Sequence, residues 1–303
     1  MDAPAKLHTL KRTCFADIAR DGQTEGITMR VLRLCLLSVW CVAALPGLVL
    51  AADRAKLQDF LEVTGFDVAL ESIRLTASSA PQILGMQAET FGTEWTRLTE
   101  EVFATETMHD MALDILEQTL DDEMLTHAAD FYATDLGQRL VVAENASHLT
   151  EDDSVKLESG ADIVAALEGI DSPRLDYIRR MNAASDSAGT AVRAILEVQV
   201  RFIMAAAGAG VIELQRDEEG LRELFKADEE AMTAEIAAGA LTGAAYTYQS
   251  FSDAEVLTYA EALEHPRMRH VYDLMNAVQY EIMANRFEAL AVAMQRLQPS
   301  QEL

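Results

Sequence analysis

The chain has 303 residues and half of them are hydrophobic, which provides enough apolar material for a packed core and excludes a disordered protein. Its formal net charge of −26 repels phosphate backbones, so nucleic acid is not expected as a partner. Aromatic residues make up only 6% of the chain and only 6 prolines occur, which favours an all-α fold over a β-sandwich.

Residues 29–51 have the pattern of a secretory signal peptide. Two arginines precede an apolar run, and small residues follow this run near Ala51. We therefore expect export to the periplasm, with cleavage after Ala51. The alternative is a membrane anchor, because residues 31–52 are just long enough to span a bilayer.

Residues 1–28 are polar, show no helical period and precede the predicted signal peptide. They would place the charged start of that signal inside the chain, where it does not normally lie. Our hypothesis is that Met29 is the true start and that residues 1–28 are a non-native upstream extension.

Two stretches carry nearly the same helical pattern: EMLTHAADFY from residue 123 and EVLTYAEALE from residue 255. The apolar spacing is helical in both and stays in register over about twenty positions, which is hard to explain by chance. We predict two tandem, diverged helical repeats, packed as one bundle-like body, at residues 52–168 and 172–296. A polar tail follows at residues 297–303.

Local signals predict where the helices of both stretches begin. Asp121 and Thr134 are suitable N-caps for two successive helices in the first stretch. In the second, Ser252 and Glu255 have the spacing of a capping box, and Pro266 stands where the first turn of the next helix is expected. Each stretch is thus predicted to form a helix, a tight joint and a second helix.

Residues 194–214, AILEVQVRFIMAAAGAGVIEL, are apolar on nearly every helical face. A helix of this kind is expected at the centre of a bundle. A transmembrane span is not favoured, because Glu197 and Arg201 shorten the uninterrupted apolar part.

The stretch FYATDLGQRL resembles the bacterial family catalogued as domain of unknown function 2059. The signature of that family is a Phe-Tyr pair, a Ser or Thr, usually a Pro, and then a Gly followed by Gln or a basic residue. The matching residues are Phe131, Tyr132, Thr134, Gly137 and Gln138. Asp135 stands where Pro is usual. The resemblance implies an all-helical periplasmic protein without an assigned reaction.

We interpret the motif residues as structural. The aromatic pair would hold the end of one helix against the next, since such pairs usually belong to the core. Gly137 would permit a close approach at the joint between the two helices.

A search for chemistry in the sequence finds one helical pair of interest. Glu123 and His127 lie four positions apart, a spacing that suits a metal site or a positioned base. We interpret them as a solvated ion pair. The acidic clusters at 121–123 and 151–153 lie at predicted helix starts, where carboxylates offset the helix dipole. We therefore assign no catalytic, cofactor-binding or metal-binding residue and expect no cofactor.

These observations favour a periplasmic protein that acts by binding, either an envelope protein or an apolar small ligand held between the repeats. The 13 methionines suit adaptable surfaces, and no stable membrane insertion is expected after signal cleavage. One alternative is an envelope hydrolase with a dispersed carboxylate site, using Glu123, Asp130 or Asp135. Another is a membrane-anchored structural protein that keeps its N-terminal helix.

Overall fold

The computed structural model describes residues 53–86, 91–150, 153–186 and 190–297. The predicted upstream extension, the signal peptide and nearly all of the polar tail lie outside these ranges. Within them the chain forms helices and no strands, so the predicted all-α class is confirmed.

The helices follow one another with short connections. In the first half of the chain they are α1 (Arg54–Thr64), α2 (Phe66–Thr76), α3 (Ala80–Ile83), α4 (Thr93–Val102), α5 (Thr105–Thr119), α6 (Asp122–Tyr132), α7 (Asp135–His148) and α8 (Asp153–Gly169). In the second half they are α9 (Arg174–Ser185), α10 (Ala191–Gly208), α11 (Glu218–Thr247), α12 (Asp253–Leu263) and α13 (Pro266–Ala293). Two 3-10 turns, Ala77–Ser79 and Met294–Leu297, follow α2 and α13.

The helix starts predicted from local signals are confirmed. Asp121 caps α6 and Thr134 caps α7, each by accepting a hydrogen bond from a backbone N–H of the first turn. Ser252 and Glu255 form the reciprocal capping box of α12, and Pro266 is the first residue of α13. These starts depend on hydrogen bonds within three residues, which is why the sequence reveals them.

Helices α6 and α12 have the same length of 11 residues, and each is followed by a two-residue joint and a further helix. Their first residues, Asp122 and Asp253, are 131 positions apart. This spacing is one position shorter than that between the identical residues of the two similar sequence stretches, which begin at residues 123 and 255. The buried positions agree at this spacing, as Leu125 with Val256 and Ala128 with Tyr259. The tandem duplication itself stays a prediction.

The central helix is α13, which packs on α2, α4, α5, α6, α9, α10 and α12. Helix α10, which the sequence places at the centre, packs mainly on α13 and α11. It ends at Gly208 instead of continuing to residue 214, because Gly210 adopts a positive φ of 71° that closes the helix. The sequence does not indicate that α13 is the central helix, because charged residues alternate with apolar ones along its 28 positions.

In the described part of the chain, no helix combines the length and the apolar character needed to cross a bilayer. The segment considered as a membrane anchor, residues 31–52, lies outside that part.

Candidate functional site

A cleft of about 280 Å³ lies where the two halves of the chain meet. The first half contributes the joint between α1 and α2, and one face of α7. The second half contributes α9, α12 and α13, together with Tyr248 at the end of α11. The cleft therefore has walls from both predicted repeats.

Gly65 allows α7 to approach the joint between α1 and α2. Its φ is +75°, a left-handed conformation that favours glycine, and it ends α1 directly before α2 begins. A Cβ atom at this position would lie 2.6 Å from Asn145 Oδ1 and 3.0 Å from Val141 Cγ1. The absence of a side chain at Gly65 thus places Asn145 and its neighbour Glu144 beside the cleft.

Four residues of the cleft wall form a hydrogen-bonded group with the buried Tyr132 behind them, and we call this group the tyrosine–glutamate cluster: Tyr132, Glu144, Tyr248, Tyr259 and Tyr272. The Tyr248 and Tyr259 hydroxyls donate to Glu144 Oε1 at 2.6 and 2.8 Å. The Tyr259 hydroxyl also lies 2.9 Å from the Tyr132 hydroxyl and 3.0 Å from the Tyr272 hydroxyl. The Tyr132 and Tyr272 hydroxyls are in contact with each other as well. The cluster joins α6 and α7 of the first half to α12, α13 and the end of α11 in the second half.

Burial controls the protonation of this cluster. It raises the pKa of Glu144, although the hydrogen bonds from Tyr248 and Tyr259 oppose the rise. Burial also raises the pKa of Tyr132, Tyr248 and Tyr259 well above the usual 10, so these hydroxyls keep their protons. Four tyrosine protons are shared among five oxygen–oxygen contacts.

The aromatic pair of the sequence motif packs against this cluster. The Phe131 ring lies parallel to the Tyr259 ring, with centroids 5.8 Å apart and an interplanar angle of 6°. It meets the Tyr132 ring edge-on at 5.2 Å. The pair therefore connects the end of α6 to α12, and Tyr132 carries a polar contact in addition to its packing.

The rest of the motif shapes the joint between α6 and α7. The Thr134 hydroxyl donates to the Phe131 carbonyl at 2.7 Å and accepts from the Gly137 backbone N–H at 3.1 Å. A Cβ atom at Gly137 would lie 2.4 Å from the Phe131 carbonyl oxygen and 2.5 Å from Tyr132 Cα. The Gln138 side chain lies nearby and donates to a backbone carbonyl at 3.4 Å. Glycine is thus the residue that this joint accommodates.

Glu123 and His127 each contact the start of α13. Glu123 forms an ion pair with Arg267, so its partner is a residue of the other half instead of His127. The His127 ring stacks on the His265 ring with centroids 4.2 Å apart. Burial, with His265 and Arg267 nearby, lowers the pKa of His127. Among the residues that the structure describes, no three His, Cys, Asp or Glu side chains group closely enough to hold a metal ion.

The carboxylates considered for a hydrolase do not line the cleft. Glu123, Asp130 and Asp135 are exposed on α6 and at the start of α7. The acidic cluster at 121–123 begins α6, as the sequence predicts. In the second acidic cluster, residues 151–152 lie outside the described ranges and α8 begins at residue 153.

Sequence reasoning missed four members of the cluster: Glu144, Tyr248, Tyr259 and Tyr272. The available signal was weak. Tyr259 and Tyr272 occupy apolar positions of helical patterns, where a tyrosine is normally interpreted as a residue of the hydrophobic core. Glu144 follows three apolar residues on α7, and nothing local shows that it points towards other helices.

The fold and the cleft define an all-α protein with a polar site between its helices. Residues 106–165 match the model of a family described as "Uncharacterized protein conserved in bacteria (DUF2059)", which confirms the resemblance predicted from FYATDLGQRL. The match includes Tyr132 and Glu144. No curated protein matches the chain, and no solved structure matches it.

Proposed function

We propose that this protein is exported to the periplasm and acts by binding a small molecule in the cleft between its two halves. The observation that carries this proposal is the cleft itself, with a volume of about 280 Å³. Concave sites with apolar walls and a few placed polar groups are the usual form of small-molecule sites. The apolar side chains of Phe66, Met181 and Leu263 line it together with polar ones such as Glu144 and Asn276. A ligand with both polar and apolar parts fits this mixture better than a wholly apolar one.

Native mass spectrometry of the protein purified from the periplasm of an expressing cell tests the proposal. We expect a mass that begins at Ala52 and an additional species with a bound small molecule. A mass that still begins at Met29 would contradict cleavage and support the membrane anchor. A mature protein that never carries an adduct would contradict binding of a small molecule.

A pair of variants shows whether an adduct occupies the cleft. Ser185 lies on its wall at the end of α9, and Ser185→Trp places a large ring there. Ser78 is exposed in the 3-10 turn after α2 and does not line the cleft, so Ser78→Trp is the matched control. We expect loss of the adduct in the first variant alone. Retention in both would place the ligand elsewhere.

Binding of an envelope protein is a second candidate, because large apolar side chains lie exposed on neighbouring helices. Val155 and Leu157 on α8 are 61% and 42% exposed, and Leu224 on α11 is 48% exposed. Apolar groups at such positions suit a protein partner. A photo-crosslinking residue at Val155 should then give one defined product in intact cells. The same residue at the exposed Asp130 should not.

A further inference from the structure

Several hydrogen-bond donors of the cleft wall are engaged within the protein. The Tyr248 and Tyr259 hydroxyls donate to Glu144 Oε1, and the Asn276 amide donates to the Ser185 carbonyl at 2.7 Å. These groups are held in place and offer little to a ligand that needs hydrogen-bond donors.

Two acceptors of the same wall are not engaged. Within the described part of the chain, both hydrogen bonds to the Glu144 carboxylate go to Oε1, and Oε2 receives none. On the next residue of α7, Asn145 Oδ1 is buried and has no hydrogen-bond partner. A buried acceptor without a partner is costly, by about 1–3 kcal/mol. Both residues line the cleft, so a ligand that donates hydrogen bonds would satisfy them.

The ionisable side chains of the described wall include two acids and a histidine. Glu144, Asp186 and His148 line the cleft, and no Lys or Arg does so. The Asp186 carboxylate already accepts from the backbone N–H groups of Thr190 and Ala191 and holds the start of α10. Glu144 is therefore the carboxylate that remains for a ligand, and in its charged form it repels an anionic ligand.

The geometry points to a small organic cation, a primary amine bound as its ammonium ion, with the ammonium group at Glu144 Oε2 and Asn145 Oδ1. This inference rests on the proposed function, since it names the ligand class of the same cleft. An ammonium group has three donors and no acceptor, which matches the two acceptors that receive no hydrogen bond, Glu144 Oε2 and Asn145 Oδ1. The partly buried rings of Tyr272 and Tyr280 offer aromatic surface to the apolar part of the amine and to its charge.

Burial of Glu144 supports this assignment. Without a partner, the buried carboxylate favours its protonated form, and its pKa is raised accordingly. A cation placed beside it reverses this preference and stabilises the charged form. The cost of burying an ammonium ion is offset at the same time, because buried charges are stable when they are paired.

A neutral polyol is the main competitor, since side-chain amides and hydroxyls also line the cleft. A polyol carries as many acceptors as donors, so it would leave its own acceptors facing Glu144 Oε2 and Asn145 Oδ1. The ammonium ion, which has donors only, is favoured on this ground.

Isothermal titration calorimetry of the full chain with three compounds of similar shape tests the inference. The probes are 2-phenylethylamine, 2-phenylethanol and phenylacetate, which are cationic, neutral and anionic at pH 7. We expect the amine to bind at least about tenfold more tightly than the alcohol, which corresponds to about 1.4 kcal/mol. Phenylacetate should bind least.

Two variants assign the preference to Glu144. In Glu144→Gln the side-chain oxygen still accepts from Tyr248 and Tyr259, so the fold is kept while the charge is removed. The preference for the amine over the alcohol should disappear. Glu123→Gln removes a carboxylate that is exposed on α6 and does not line the cleft, so the preference should remain.

Every other result would contradict the inference, and the different results would contradict different parts of it. Equal or tighter binding of the alcohol or of phenylacetate would reject the cationic class and leave the proposed function standing. A preference that survives in Glu144→Gln would reject the assigned carboxylate. If none of the three compounds binds, the amine inference fails, and the adduct sought by native mass spectrometry decides the proposed function separately.

Discussion

Tyr259 lies at the centre of the tyrosine–glutamate cluster. Its hydroxyl donates to Glu144 and lies within hydrogen-bonding distance of Tyr132 and Tyr272. The side chain is only 2% exposed, so water cannot easily replace a lost hydroxyl there. Removal of one oxygen atom would therefore leave several buried partners with fewer hydrogen bonds.

We expect Tyr259→Phe to lower the free energy of unfolding by about 1–3 kcal/mol, since buried polar partners are left unsatisfied. Urea denaturation followed by circular dichroism measures this loss. Tyr246→Phe is the matched control: Tyr246 is partly buried on α11, and in the described structure its hydroxyl makes no hydrogen bond. Its effect should stay within about 0.5 kcal/mol. Equal losses in both variants would show that the cluster adds nothing beyond ring packing.

Glu144→Gln should make the ligand-free protein more stable at pH 7. Burial raises the pKa of Glu144 in the folded state, so ionisation of this carboxylate opposes folding. Its destabilising effect is absent below the unfolded-state pKa of about 4.3, grows as the pH rises from there to the raised folded-state pKa, and is complete above it. Thermal denaturation should give the variant a higher Tm than the wild type at pH 7, and the difference should close near pH 4. A lower Tm for the variant at pH 7 would contradict the conclusion that ionisation of Glu144 destabilises the fold.

The joint between α6 and α7 depends on close backbone contact. Thr134 caps α7, and Gly137 in its first turn lies directly against the last residues of α6. The atoms that a Cβ would meet belong to the backbone of Phe131 and Tyr132, which cannot rotate away. A change at this joint therefore moves Tyr132 and the cluster with it.

We expect Gly137→Ala to destabilise the protein by about 1–3 kcal/mol, the usual cost of overpacking a tight contact. Gly239→Ala is the control, because Gly239 lies inside α11 and a Cβ there would meet no atom within 4 Å. That substitution should stabilise the protein by about 0.5–1 kcal/mol, through the better helix propensity of alanine. Chemical denaturation of both variants gives the comparison. A stabilising effect at Gly137 would mean that the joint has room to open.

Ion pairs connect helices within the second half, and a further ion pair connects the two halves. Arg180 on α9 binds Glu264 at the end of α12 through two hydrogen bonds of 2.8 and 2.7 Å. Arg201 on α10 binds Glu288 on α13 in the same way, at 2.7 and 2.8 Å. Arg139 on α7 binds Glu255 on α12. In a chain with many more acidic than basic residues, these arginines are used at helix–helix contacts.

Stability should fall as the pH is lowered from 5 towards 2. A hydrogen bond from Arg139, followed by those from Ser252, lowers the pKa of Glu255 to about 2. Arginine partners likewise lower the pKa of Glu264 and Glu288. Such carboxylates stabilise the fold above their unfolded-state pKa of about 4.3, and this contribution is lost as the pH falls through the folded-state value. The Tm measured at intervals between pH 7 and pH 2 should show the decrease.

Glu255→Gln should reduce that decrease, because the variant has already lost the titrating group. Since the pair is exposed, the effect at pH 7 should be small. A Tm that stays constant between pH 5 and pH 2 in the wild type would rule out a role of these pairs in stability.

The amino-acid sequence alone was sufficient for the all-α class, the resemblance confirmed at residues 106–165, and the starts of α6, α7, α12 and α13. These features depend on caps and apolar spacing within a few residues, so they can be read locally. The cleft depends on contacts between residues 104 to 140 positions apart, such as Tyr248 with Glu144 and Tyr132 with Tyr272. A helical pattern shows that a tyrosine is buried but not which helix it faces. The packing of the two halves against each other determines which helix each tyrosine faces, and the same packing forms the site.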